Sequence, residues 1–457
     1  MARRTRFAPR PVEAALILIV IAIAALGFLL AASAGQLLPA GGLGFAAFPP
    51  AACLAPLLLA GSLFVVHWLL RWRKIEEAQL VWPLAGLLVA VGMVMIFRLP
   101  DGNVSQQLLR GWLPGVGVIS VLVLWPRLVE VIRRQAVWVS LGGLFLLLAT
   151  AFFGVVDASG ARLALKLGPL PAVQTSELVK LALIIFLAWY IERVGEEAEG
   201  RARPVGWLRL PSYRYFIPGL LFVALATLAL VRMSDFGAIL IIASLFVAMF
   251  YAGFRPRVFA TVALIGLTLS LVMGLFLALF WTPPDVLVHR FTAFRDPFSD
   301  APLVVNGVET DVTVAEGPGY QIQQAIFALT AGGLTGTGLG FGTPYFVPLN
   351  HSDFIFAAIV EEYGGLVALA LLGFMTILLL RLLRLGMLLP GEQVFERLLL
   401  VGIAVHLFMQ VFVMVGGTFN LLPLTGITVP FLSQGGIALL VNLTEIGLAL
   451  ALAQRLS

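Results

Sequence analysis

Apolar residues run along this chain in blocks of about twenty, separated by short gaps rich in arginine, proline and glycine. A hydrocarbon layer about 30 Å thick takes about 20 helical residues. Blocks of roughly that length lie at 14–34, 52–70, 81–97, 112–126, 137–154, 175–192, 215–231, 237–253, 258–281, 354–380, 398–419 and 434–453. These twelve runs predict an all-α polytopic membrane protein, with the run at 112–126 the shortest. One long interval, 282–352, separates the ninth and tenth runs.

Composition agrees: 60% of the 457 residues are apolar and 12% charged, against roughly 45–50% and 25% in soluble domains. The pI near 9.6 would suggest nucleic acid in a soluble protein. Here the basic residues fall in the gaps, and alternate gaps divide them 21 to 7, with Lys180 inside a run. The positive-inside rule then puts the richer set, from Arg3 to Arg455, on the cytoplasmic side with both termini, and the 282–352 interval outside. The N-terminal basic residues and apolar run resemble a signal peptide, but the run is about 20 residues long and a second follows, so it reads as a retained helix. A single cysteine, Cys53, excludes an intrachain disulfide, and the four histidines show no metal-ligand spacing.

Ionisable groups within or at the ends of membrane spans usually face a protein interior or a watery cavity. In QTSELVKL, Glu177 and Lys180 lie three residues apart on one helical face, either as a bundle-locking ion pair or as a charged wall for an anion. In RMSDFG, Asp235 is placed to cap a helix. The long interval carries HRFTAFRDPFSD at 289–300, then a glycine-interrupted apolar stretch, 319–344, that reads as re-entrant or interfacial because irregular backbone at membrane depth needs protein or a cavity around it. Next, HSDFIFAAIVEEYGG places His351 and Asp353 before a span and Glu361 with Glu362 inside it. These features alone reach a membrane enzyme or a transporter with an outward-facing polar site.

Six segments in order resemble the shape, elongation, division and sporulation family, which includes the RodA and FtsW peptidoglycan polymerases. They are GARLALKLGPLPAVQTSELVKL (160–181), SDFG (234–237), RFTAFRDPFSD (290–300), GYQIQQAIFALTAGGLTGTGLG (319–340), HSDFIFAAIVEEYG (351–364) and LLPLTGITVPFLSQGG (421–436). The family core has ten spans, so residues 1–76 read as a two-helix addition and 77–457 as the core. The chain departs from the pattern at Leu163 and Ala164, Thr175 and Gln434, and in an insertion from Ala301 to Pro318.

The resemblance implies a glycosyltransferase that polymerises lipid II at the outer face of the bacterial cytoplasmic membrane, with a class B penicillin-binding protein as partner. It implies Asp300 as the catalytic carboxylate. Arg290, Lys180, Arg162 and Lys166 would meet the diphosphate, with Glu177, Asp235, Gln321, His351, Asp353, Glu362 and Ser433 shaping the substrate site. A divalent cation, Mg2+ or Mn2+, is compatible with a diphosphate but has no ligand motif behind it. The competing readings are a lipid II flippase, or transporter of another lipid-linked precursor, and a scaffold for wall enzymes.

Overall fold

The computed structural model describes residues 9–37, 50–155, 162, 164–166, 173–201, 203–205, 208–210, 214, 217–254, 258, 285–305 and 307–456. Among them, nine helices are long and apolar enough to cross a membrane. In chain order the helices begin with α1 (Pro11–Leu37), α2 (Pro50–Trp72) and α3 (Val81–Arg98). The short α4 (Val104–Gln107) runs through a π-turn (Leu108–Trp112) into α5 (Leu113–Leu124), followed by α6 (Arg127–Arg134) and α7 (Ala136–Phe153). Then come α8 (Thr175–Gly200), α9 (Ile217–Met233) and α10 (Phe236–Gly253). The last five are α11 (Asp285–Arg295), α12 (Pro318–Gly332), α13 (Ile355–Leu388), α14 (Val394–Thr418) and α15 (Gly436–Ala453).

Eleven of the twelve predicted runs therefore coincide with helices, although α8 carries more charge and α9 is shorter than the nine clear membrane spans. Apart from Val258, the run at 258–281 lies outside the described residues. The short run at 112–126 gains about two turns at its front, the first of them polar: together α4, the π-turn and α5 make a 21-residue span, Val104–Leu124. Asn103 starts it by accepting a hydrogen bond from the Gln106 amide at 2.8 Å. Counting apolar residues missed that start because the added turn is polar, and its Gln107 is buried among backbone partners.

Burial identifies the centre. The membrane windows of α3 and α15 are 83% and 78% buried, against 28% for those of α1 and α13, although the front of α13, Ile355 to Glu362, is buried throughout. Small residues permit the close approach: a Cβ on Gly115 of α5 would lie 2.4 Å from Leu443 of α15. The N-terminal pair is fastened to this core at both ends of α1. Near residue 10, Arg10 and His67 both bond Glu13, and Arg10 also donates to the carbonyls of Ile75 and Ala78, all three side chains being buried. At the far end, Ala34 packs so tightly on Gly340 that a Cβ there would fall 2.1 Å from its own.

The insertion between Ala301 and Pro318 is an antiparallel hairpin of β5 (Pro302–Val305) and β6 (Val308–Thr313), β1 to β4 being short pairs at 164–165, 173–174, 203–205 and 208–210. It stands on the end of the bundle where α3, α7, α9 and α14 finish and α8, α10, α13 and α15 begin, here called the loop face.

Candidate functional site

The Asp300 segment is built from three short pieces. Helix α11 ends at Arg295, the chain turns through 296–301, and the hairpin returns it to α12. A small apolar core of Ala293, Val314 and Ile322 joins the pieces. Gln323 of α12 reaches across and donates to the Pro297 carbonyl at 2.6 Å and the Ala315 carbonyl at 3.2 Å. Gly319 is required where it stands, since a Cβ would lie 2.3 Å from the Pro297 oxygen. Asn420, from the end of α14, anchors the same unit by donating to the Phe294 carbonyl at 3.1 Å.

Within this frame the two aspartates differ. Asp296 accepts the Phe298 amide at 3.1 Å in an Asx turn. Asp300 is exposed, and its carboxylate takes no hydrogen bond from any described residue. Among the described residues its lone pairs are therefore unengaged, on a support braced by Gln323 and Asn420. Gln323→Leu is expected to loosen that support, lowering activity roughly tenfold through kcat, with little change in melting temperature; rates at saturating and limiting substrate measure the split.

The glycine-rich stretch after α12 is not a free loop. Helix α13 breaks at Gly364 (φ 86°, ψ 163°), which frees carbonyls and amides that an unbroken helix would pair. The stretch takes them up: the Thr337 and Gly338 amides donate to the Glu361 and Glu362 carbonyls at 2.9 and 3.0 Å. In return, the Gly365 and Leu366 amides donate to the Gly333 and Leu334 carbonyls at 2.9 and 3.1 Å. Backbone thus replaces backbone at membrane depth, as hydrocarbon surroundings demand. The Glu361 carboxylate accepts the Thr343 amide at 2.6 Å. The Glu362 carboxylate accepts the Gly340 amide at 3.1 Å and meets the Arg98 guanidinium at 3.2 Å. Arg98 closes the clamp by donating to the Gly340 carbonyl at 3.2 Å. Glu362 therefore holds the glycine-rich backbone in place. Gly364→Ala combines a positive φ, costing about 1–2 kcal/mol, with a Cβ 2.4 Å from the Leu334 oxygen; a fall of several degrees in melting temperature is expected, read by thermal unfolding in detergent.

Of the basic candidates, Lys180 is buried and paired, while Arg162, Lys166 and Arg290 are partly or fully exposed. Lys180 and Glu177 are 1% and 4% exposed and bond at 2.7 Å. Gln410 of α14 donates to the other Glu177 oxygen at 3.3 Å. Asp235 caps α10 by accepting the Ala238 amide at 3.0 Å and lies close enough to feel both Lys180 and Glu177. Arg162 ties the end of α7 to the end of α9: its amide donates to Met233 O at 3.2 Å and its guanidinium to Phe152 O at 3.1 Å. Lys166 is exposed, Arg290 is partly buried on α11, and Gln321 is partly buried on α12.

The last group knots the loop face together. Ser433 Oγ donates to the Ser352 carbonyl at 2.7 Å and accepts the Val429 amide at 2.8 Å. Gln107 donates to the Ser433 carbonyl and accepts the Gly435 amide, both at 2.9 Å. The Gln434 amide donates to the His351 carbonyl at 2.8 Å, and Asp353 lies over Gly426 (φ 71°). Burial pushes the His351 imidazole below its usual range, more than nearby Asp101 raises it, so at neutral pH it is an uncharged hydrogen-bonding group, not a cation.

The model of a cell cycle protein family, that of FtsW, RodA and SpoVE, matches residues 78–457. The chain belongs to this family. It is similar to the peptidoglycan glycosyltransferase RodA of Mycobacterium tuberculosis, 32% identical over 408 residues that cover 85% of this chain and 80% of that one. It is equally similar, at 32% over 390 residues, to a probable peptidoglycan glycosyltransferase FtsW of Aromatoleum aromaticum, covering 82% and 87%. Among solved structures, a chain from a peptidoglycan synthase complex that coordinates polymerization and crosslinking shares the fold with a TM-score of 0.63 at 24% identity, covering 82% of this chain and 97% of that one. The rod shape determining protein RodA of Thermus thermophilus does so at 0.52 and 24%, covering 83% and 96%.

Within this family member, several supporting residues escape a reading by motif. Arg98 reads as one basic residue among 29, yet it bonds the glycine-rich backbone. Gln323, two positions past Gln321, does the holding in the GYQIQQ segment. Gln410 is a lone polar residue in an apolar stretch, and such residues were the available signal; Gln107 lies beside Ser105 and Gln106 and gave none.

Proposed function

We infer that this chain is a peptidoglycan glycosyltransferase that polymerises lipid II. The observation that carries the reading is 32% identity to RodA and FtsW glycosyltransferases over most of the chain and most of theirs. The reading gains from an aspartate left exposed and unbonded on a braced loop. In the proposed step Asp300 takes the proton of the acceptor sugar hydroxyl as that oxygen attacks the donor's anomeric carbon. The bond from that carbon to the diphosphate breaks, and the lipid diphosphate leaves with the electron pair. Arg290, Arg162, Lys166 and Lys180 would offset its charge. Lys180 engages the diphosphate only by sharing it with Glu177, so the pair is poised, not free.

Among the described residues no three of His, Cys, Asp and Glu converge as metal ligands. Asp300 fits a divalent cation only as one ligand beside the substrate's own diphosphate. Mg2+ or Mn2+ bound there would neutralise the leaving group. The proposed orientation places the loop face outside, following the distribution of arginines. The proposed partner is a class B penicillin-binding protein.

Fluorescent lipid II incubated with the purified chain, alone and with such a transpeptidase, tests the reading. Glycan strands resolved as a ladder on a gel are expected. Lipid II that only crosses the bilayer of a proteoliposome, with no ladder under any condition, would replace the polymerase with a flippase.

A further inference from the structure

Midway along α14 and α15 lies a cluster of buried polar side chains, called the chamber below, that the proposed chemistry does not use. His406 and Gln410 stand one turn apart on α14, and Asn442 and Glu445 one turn apart on α15; each is at most 1% exposed. His406 Nδ1 and Glu445 Oε1 are 2.6 Å apart, so the two helices face each other here. Gln410 spends its amide NH2 on Glu177. Four atoms then have no partner among the described residues: His406 Nε2, Gln410 Oε1, Asn442 Oδ1 and Glu445 Oε2.

Two deficits coincide. Three of the four orphans are oxygens, which need donors or a cation, and each buried polar atom left unmet costs about 1–3 kcal/mol. The charges that act on one another here are Glu177 and Lys180 of α8, Asp235 at the start of α10, His406 and Glu445. Three carboxylates thus face one amine and one imidazole. Buried carboxylates in that excess are tolerated only when a cation or a proton compensates them.

We propose that this chamber binds one small monocation, a sodium ion or a proton carried on water, held by the oxygens of Glu445, Asn442 and Gln410. Oxygen donors suit a hard cation, and a single positive charge supplies both what the oxygens and what the carboxylates lack. The occupant sets the charge seen by the Glu177–Lys180 pair through the Gln410 bridge. The inference stands on side-chain chemistry and does not depend on the glycosyltransferase reading.

Thermal unfolding of the purified full chain tests it, in sodium chloride against N-methylglucamine chloride at equal ionic strength, from pH 6 to 8.5. Binding of either ion to the folded state raises Tm by mass action. A sodium occupant predicts a rise of several degrees at pH 8.5, with the sodium needed for half the effect growing about tenfold per pH unit as protons compete. A proton occupant predicts a rise on acidification that ignores sodium. Glu445→Gln, neutral at every pH, should remove either response, and Asn442→Leu should weaken a sodium response at least tenfold in concentration. A wild-type Tm indifferent to both sodium and pH across this range overturns the proposal. Should Glu445→Gln fail to fold, radioactive sodium binding to wild type and its displacement by acid decide the same question: neither one ion per chain nor an acid-dependent Tm means that no such site exists.

Discussion

Asp300→Asn is expected to lower glycan-chain formation by about 10²- to 10⁴-fold, the range set by loss of a general base. Melting temperature and membrane insertion should not change, because the carboxylate is exposed and bonds no described residue. The neighbouring Asp296→Asn is the control. Its oxygen caps the turn at Phe298, and an asparagine side chain can cap it too, so activity should fall no more than a few-fold. Initial rates with purified lipid II compare the two. Equal losses in both variants would mean that the loop's shape matters and not its carboxylate.

Lys180→Gln is expected to have the second-largest effect, with stability and activity falling together. Removing one partner of a buried ion pair leaves the other charge uncompensated, which costs about 3–5 kcal/mol, and Glu177 is as buried as Lys180. The double variant Glu177→Gln, Lys180→Gln separates the two roles. With neither charge present, the fold should recover most of its melting temperature, while polymerisation stays at least tenfold down if the ammonium meets the diphosphate. Recovery of both would reduce the pair to a lock between α8 and its neighbours.

Most of the helical frame was legible because a hydrocarbon layer sets the length of an apolar run, and runs are visible in a single sequence. The hairpin from Pro302 to Thr313 was signalled as well, by an Asn-Gly pair between valines, though a search for spans passes over it. The break at Gly364 was hidden inside an apolar run. Its cause lies thirty residues earlier in the backbone of Gly333–Gly338, and no local propensity carries information over that distance. The same limit hides the chamber: His406 and Glu445 each look like a lone polar residue in a helix until packing sets them 2.6 Å apart. Candidate site residues could be named from the sequence where they lie in motifs, as with Asp300 and the Glu177–Lys180 pair. They were illegible where an ordinary residue, such as Arg98 or Gln323, binds backbone.

The central claim is that this chain forms glycosidic bonds at the loop carrying Asp300. The most direct measurement counts lipid diphosphate released against linkages formed, by purified wild type and Asp300→Asn supplied with lipid II. One lipid diphosphate per linkage from wild type, and both products formed at least about 10²-fold more slowly by Asp300→Asn, is the predicted result. Release and linkage at the wild-type rate in the variant, or none in either protein with an active transpeptidase partner present, would contradict it.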